Sequence, residues 1–394
     1  MSTENEPDVY TRLALLLGDV VWGWLDHVPG SGVLHDILRQ NFSEEEALAL
    51  SHIPMKPIPL DFTTLDEIAA SSGLLHETLE RTLDGIAARG LLYRREMSGG
   101  KKGYALLKLA FGYPQVFYWK GDKTPHARKM IELQSQPEHV KAQIDMYTGT
   151  ETKPFRYIPT TEAIDPQWQN VYPAETIEKV ILRATRIAVA HCPCRIRNEL
   201  LTGKPCGHST EVCIKLDDLA EVVVAAGLAR EIDHEEALQV IKKAQAEGLV
   251  HFTDNAGEGI KHICNCCGDV CWNVGPIRRR KYPRDLLMAT YFLRETDEDA
   301  CIACENCVDI CPVNAVSIVD DVARVDHDWC IGCGVCVPRC SAQAIRLVEK
   351  QPKPKGSADF AALHLAVHHE RATHKASGQA VGSKDTDATG ARVT

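Results

Sequence analysis

Sixteen cysteines stand in this chain of 394 residues. They are not scattered: none precedes Cys192 and none follows Cys340. One stretch, HICNCCGDVCW (262–272), puts Cys264, Cys266, Cys267 and Cys271 close together. Thiols at this density can ligate metal, exchange electrons, form disulfides or act as nucleophiles. The N-terminus, MSTENEPDVY, lacks a signal-peptide pattern. A cytoplasmic, reducing setting is therefore expected, where such thiols are metal ligands before they are disulfides.

The clearest pattern is an internal repeat. ACIACENCVDICPVNAVSI (300–318) and WCIGCGVCVPRCSAQAIRL (329–347) each contain C-x2-C-x2-C-x3-C. Three closely spaced thiolates wrap one face of an iron–sulfur cube while the fourth turns away. The region resembles the two-cluster bacterial ferredoxins. That resemblance implies one [4Fe-4S] cluster on Cys301, Cys304, Cys307 and Cys340, and a second on Cys330, Cys333, Cys336 and Cys311. Pro312 follows the first motif as the family expects, whereas Ser341 stands where the second usually has proline. Gly332 and Gly334 let the backbone approach the second cluster. A zinc domain is the competing reading, but zinc does not need eight cysteines crossed in such a repeat.

The remaining eight thiols are Cys192, Cys194, Cys206 and Cys213, within HCPCRIRNELLTGKPCGHSTEVC (191–213), and the four of 264–271. They suggest one or two further [4Fe-4S] clusters. A sequence-local partition gives Cys192/Cys194/Cys206/Cys213 and Cys264/Cys266/Cys267/Cys271. Adjacent side chains point apart, so Cys264, Cys267 and Cys271 form the more natural set of three, and Cys266 would cross to the other segment. One cluster plus a reactive cysteine pair, or zinc, are the alternatives. His191, His208 and His262 flank the thiols as ligands or hydrogen-bond donors. The basic run PIRRRKYPR (276–284) would offset cluster charge, dock an acidic ferredoxin, hold an anion, or simply face solvent. The combined order of motifs is similar to multi-cluster proteins described only as "4Fe-4S binding", which implies electron transfer without naming a substrate.

Other chemistry is missing from the sequence. There is no G-x-G-x-x-G after a strand, no Walker A spacing, no C-x3-C-x2-C triplet, no nucleophile elbow and no H-E-x-x-H. A flavin or nicotinamide would have to sit on a partner. The net charge of -10 disfavours wholesale nucleic-acid binding. LALLLGDVVWGWL (13–25) is broken by Asp19 and is too short to span a bilayer.

The elements that would carry these groups follow from periodicity. Residues 1–60 read as helical, with SEEEALALSHI (43–53) capped by Ser43. In 61–109, Leu65, Ile68 and Ala69 lie on one helix and Leu79, Leu83 and Ile86 on a second, across the turn SSG. LLYRRE and YALLKL then read as strands around SGGKKG. The arrangement resembles the winged-helix fold of bacterial regulators. Its recognition helix would expose His76, Glu77, Glu80, Arg81 and Asp84, mixed to acidic, beside a basic wing of Arg94, Arg95, Lys101 and Lys102. Residues 125–185 read as helical linkage, PAETIEKVILRATRIAVA (173–190) as an amphipathic helix, and 216–252 as two helices.

The sequence therefore predicts a multidomain α+β protein. It divides into a helical plus winged-helix-like domain (1–124), a mainly α cysteine-rich domain (125–290), a dicluster ferredoxin domain (291–350) and a disordered tail (351–394). His364 and His368 of that tail have the spacing of helical metal ligands but are expected to be solvated. The expected role is an iron–sulfur electron carrier in a soluble anaerobic oxidoreductase system. Its partner would be a flavoprotein, a ferredoxin or a reductase subunit, with no membrane and no catalytic residue identified. The competing role is a redox- or iron-responsive regulator, in which DNA is the partner.

Overall fold

The computed structural model describes residues 7–18, 32–137, 139–140, 150–166 and 175–376. Part of LALLLGDVVWGWL and the end of the tail, 377–394, lie outside them. Helices Val9–Gly18, Val33–Asn41 and Glu44–Leu50 lead the chain. Ser43 and Glu46 close a capping box at the third. Leu65–Ser72 begins with a second capping box, Thr64 with Glu67, and stops at left-handed Gly73. His76–Ala88 follows and buries Leu79, Leu83 and Ile86. Strands Tyr93–Met97 and Lys101–Ala105 form a hairpin whose outer edge pairs with Thr63–Thr64.

This unit does not stand free. Its core runs on without a break into Leu219, Val222, Val223 and Leu228. Gly90 has φ +76, and a Cβ there would come within 2.8 Å of Leu228. Arg95 reaches across to Asp218 and Glu221 at 3.3 and 2.8 Å.

The expectation of a mainly α middle region is corrected. A seven-stranded sheet crosses it in the order Met288–Ala289, Phe155–Ile158, Val250–Asp254, His262–Cys266, Glu211–Leu216, Ile187–His191, Arg230–Ile232. All pairings are antiparallel except that of Met288–Ala289 with Phe155–Ile158. Of the expected helix over 173–190, the described residues from 175 onward are helical only at Ile177–Arg183 and then turn into strand Ile187–His191. Two helices do occupy 216–252, at Asp217–Ala225 and His234–Ala246.

The tail is corrected too. Strand Ser357–Asp359 pairs in parallel with Ala256–Glu258, and helix Phe360–Ala376 buries Phe360, Leu363, His364 and Val367. His364 is 0% exposed, wedged against Phe111 and Phe360, rather than solvated. Among the described residues no helix is long and apolar enough to cross a membrane.

Candidate cluster-binding centre

The repeat folds as two linked halves. Phe292–Thr296 pairs with Ile345–Glu349, and Val316–Val319 with Val322–Val325. Between them the chain winds through left-handed positions at Ala303 (φ 50) and Glu305 (φ 64), which turns successive thiols toward one point. Cys301, Cys304, Cys307 and Cys340 line one cavity together with Arg294. Backbone N–H groups aim at the sulfurs: Ala323 at Cys301 (3.4 Å), Ala315 at Cys311 (3.2 Å) and Ala344 at Cys340 (3.3 Å). The last two contacts are the same contact repeated in each half, four residues after its fourth cysteine. Buried Arg294 adds a donor 3.5 Å from Cys307.

Cys330 lies near enough to Cys311, Cys333 and Cys336 to act on the ionisation of all three. Burial pushes Cys336 up to about 12, and raises Cys311 and Cys333. Thiolates in such a place need cations against them, which iron supplies. Gly332, at φ +62, is pressed so close to Phe292 that a Cβ would meet its carbonyl at 2.0 Å.

Residues 294–341 match the family described as a 4Fe-4S dicluster domain. The domain binds two [4Fe-4S] clusters, and the protein has an iron–sulfur electron-transfer role. No curated protein matches the chain.

The other eight cysteines divide six and two, a grouping neither sequence partition contains. Cys192, Cys194, Cys213, Cys264, Cys266 and Cys271 line a cavity of about 120 Å³. It lies between the sheet and the helix that starts at Pro193, which follows Cys192 directly. The thiols lie in series, each acting on the ionisation of the next, from Cys192 to Cys194, Cys271, Cys266, Cys264 and Cys213. Trp272 N–H donates to Cys194 at 3.4 Å, and Asn273 and Val274 N–H groups donate to Cys271. Charge along the chain is uneven. Cys213 is held below the ordinary thiol range, first by the neighbouring Cys264 thiol and then by Lys215 and His262. Cys271 is held low by Cys194 and Cys266. Cys264 and Cys266 are pushed up by their thiol neighbours and by burial.

Cys206 and Cys267 face each other instead, their sulfurs 3.4 Å apart, with His208 and Asp269 beside them. His262 lines the six-thiol cavity, its Nδ1 3.2 Å from the buried Asp254 carboxylate. His191 is turned to Thr210 at 3.1 Å. The basic run is not a free loop. Arg280 donates to the carbonyls of Val313 and Asn314, both at 2.7 Å, and Arg284 to that of Cys330 at 2.6 Å. These are contacts from the middle region onto the dicluster domain.

Sequence reasoning missed Lys215, Arg195 and Tyr157. Lys215 sits 4.3 Å from the Trp119 ring centre and lines the cavity. Arg195 is buried and donates to Asn265 O at 3.1 Å and to Ser209 O. Tyr157 is buried where Cys271, Cys333 and Cys266 all act on it. Its hydroxyl has no hydrogen-bond partner among the described residues. Only the "CPCR" run hinted at Arg195, and nothing local marked the other two.

Proposed function

We propose that this protein is the electron-relay subunit of an anaerobic oxidoreductase system, in which the six-thiol cavity holds a further iron–sulfur cluster beside the dicluster domain. One observation carries this reading. Cys266 and Cys271 of the cavity belong to the same buried cluster as Cys307, Cys311, Cys330 and Cys333, with Tyr157 between the two sets. The dry contact continues through Thr160, whose N–H donates to Cys333 O at 3.1 Å.

The donor set fits an iron–sulfur group. The thiols are buried and clustered, they border a cavity that side chains leave unfilled, and N–H donors already point at two of the sulfurs. The ligands would come from Cys192, Cys194, Cys213, Cys264, Cys266 and Cys271. Such a cluster supplies one-electron redox chemistry. The chain's own work is positional: Lys215 and Arg197 place positive charge at the cavity, Arg294 does so at Cys307, and packing keeps water out of the gap at Tyr157.

A partner would dock at the opposite end. Cys304 is exposed, and its neighbour Ile302 presents an apolar side chain at 63% exposure. A flavoprotein, ferredoxin or reductase subunit would deliver or collect electrons there. The regulator reading is weaker on charge grounds. In the winged-helix-like unit, Lys101 pairs with Asp66 (3.0 Å), Lys102 with Glu80 and Asp84 (2.7 and 2.6 Å) and Arg94 with Asp84 (3.2 Å). Arg95 is spent on Asp218 and Glu221. Phosphates would have to displace these carboxylates. An anaerobic redox titration followed by EPR tests the proposal: a third reducible cluster supports it, and only two refute it.

A further inference from the structure

Cys206, His208, Cys267 and Asp269 each offer one donor atom, and the four atoms all lie within 4.8 Å of one another. The two sulfurs are 3.4 Å apart, and His208 Nε2 is 3.6 Å from Asp269 Oδ2. We infer that these four residues form a mononuclear zinc site, separate from every iron–sulfur cluster of the chain.

Donor set and spacing together favour zinc over a cubane. Around tetrahedral zinc, bonds of about 2.3 Å to sulfur put two thiolates roughly 3.8 Å apart, and bonds of about 2.0 Å to nitrogen and oxygen put those atoms roughly 3.3 Å apart. Both observed spacings are close to these. A cubane carries one ligand on each of four irons, four thiolates in the dicluster motifs, and this group offers only two thiols. The mixed set of two thiolates, an imidazole and a carboxylate also suits zinc, whereas all eight dicluster positions are cysteine.

The surroundings hold these side chains in place. Arg278 donates to Asp269 Oδ1 at 3.0 Å, which leaves Oδ2 turned to His208. Arg279 donates to the Asp269 carbonyl at 2.8 Å. Ser209, next to His208, is anchored by Glu247 through its N–H at 2.8 Å. Arg195 donates to backbone carbonyls on both sides of the site, at Ser209 and Asn265. Two thiolates and a carboxylate around a divalent cation leave one net negative charge, which the buried Arg195 guanidinium offsets.

The site has a structural consequence. It ties the loop after helix Pro193–Thr202 to the turn after strand His262–Cys266. Gly268, inside that turn, lies so close to the dicluster domain that a Cβ would meet Pro312 O at 2.0 Å. Zinc would thus fix the turn against which the dicluster domain docks.

Metal analysis of the anaerobically purified full chain tests this, with zinc and iron counted together. One zinc per chain is expected. His208→Gln and Asp269→Asn, both at partly or fully exposed positions, should weaken zinc retention against a chelator at least tenfold with iron unchanged. Cys206→Ser with Cys267→Ser should abolish zinc, again with iron unchanged. Cobalt in place of zinc should give the visible bands of a tetrahedral thiolate site, absent in the cysteine variant. The inference fails if the wild type holds no zinc, or if zinc survives the cysteine substitutions. It also fails if iron falls in His208→Gln or Asp269→Asn, or if the two thiols are found as a disulfide. Because iron is counted separately, loss of this site and loss of the six-thiol cluster are distinguishable.

Discussion

Cys206 Sγ lies 3.4 Å from Cys267 Sγ across 61 residues of sequence. That contact divides the middle thiols. It removes Cys267 from the trio it would make with Cys264 and Cys271, and leaves six thiols around one cavity. Four cysteines suffice for a cubane, so the cavity has ligands to spare for one cluster but too few for two independent ones.

Tyr157 offers a probe of that cavity that keeps every ligand. Its hydroxyl is buried among Cys271, Cys333 and Cys266 without a hydrogen-bond partner among the described residues. A cluster sulfur would be the acceptor it lacks, and hydrogen bonds to sulfur raise cluster potentials. Tyr157→Phe should leave iron content unchanged and lower one reduction potential by on the order of tens of millivolts. Potentiometry checks both.

Two glycines report on the packing around the dicluster domain. A methyl at Gly332 would strike Phe292 O, and one at Gly268 would strike Pro312 O, both at 2.0 Å. Gly332 also has φ +62, where a side chain is strained. Gly332→Ala and Gly268→Ala should each cost about 1–3 kcal/mol. Chemical denaturation followed at the cluster absorbance measures it. Gly332→Ala should lose iron earlier than it loses helix signal.

The C-terminal helix gives a pH dependence. Burial pushes His364 down to about 3, with Asp254, Lys108 and His262 as the charged or titratable groups acting on it. The folded protein therefore resists a proton that the unfolded chain accepts from an ordinary value near 6.5. Stability is full above that value and is lost as pH falls from it toward 3. The melting temperature should drop in this window, and less steeply in His364→Phe. Equal slopes would contradict the assignment.

The hairpin's ion pairs predict how the first unit behaves. Burial alone would raise Asp84, but hydrogen bonds from Lys102, Tyr104 and Arg94 outweigh it and hold the carboxylate low. Its stabilisation is present above the usual carboxylate range and is lost as pH falls through its lowered value. Asp84→Asn should cost about 1–2 kcal/mol at neutral pH. A gel shift at low salt should show no DNA affinity in the wild type; binding that depends on cluster oxidation would revive the regulator reading.

What the sequence made legible tracks how local each signal is. The two C-x2-C-x2-C-x3-C runs and the helix carrying Leu79, Leu83 and Ile86 are set by neighbours a few residues apart. The seven-stranded sheet was hidden because strands such as Val250–Asp254 are buried at every position. They lack the alternation that marks a half-exposed strand. His364 looked like part of a polar tail because Phe111 and Phe360, which cover it, come together only when the chain folds back. The six-and-two division could not be read from spacing, since adjacent Cys266 and Cys267 leave strand His262–Cys266 toward different partners.

The most direct test of the relay is anaerobic iron and sulfide content measured with EPR of the reduced protein, in the wild type and in a variant with Cys264, Cys266 and Cys271 all replaced by Ser, which leaves only Cys192, Cys194 and Cys213 at the cavity. About twelve irons per chain are expected, falling to about eight in the variant with the dicluster signals retained. About eight irons in the wild type, unchanged in the variant, would contradict the relay.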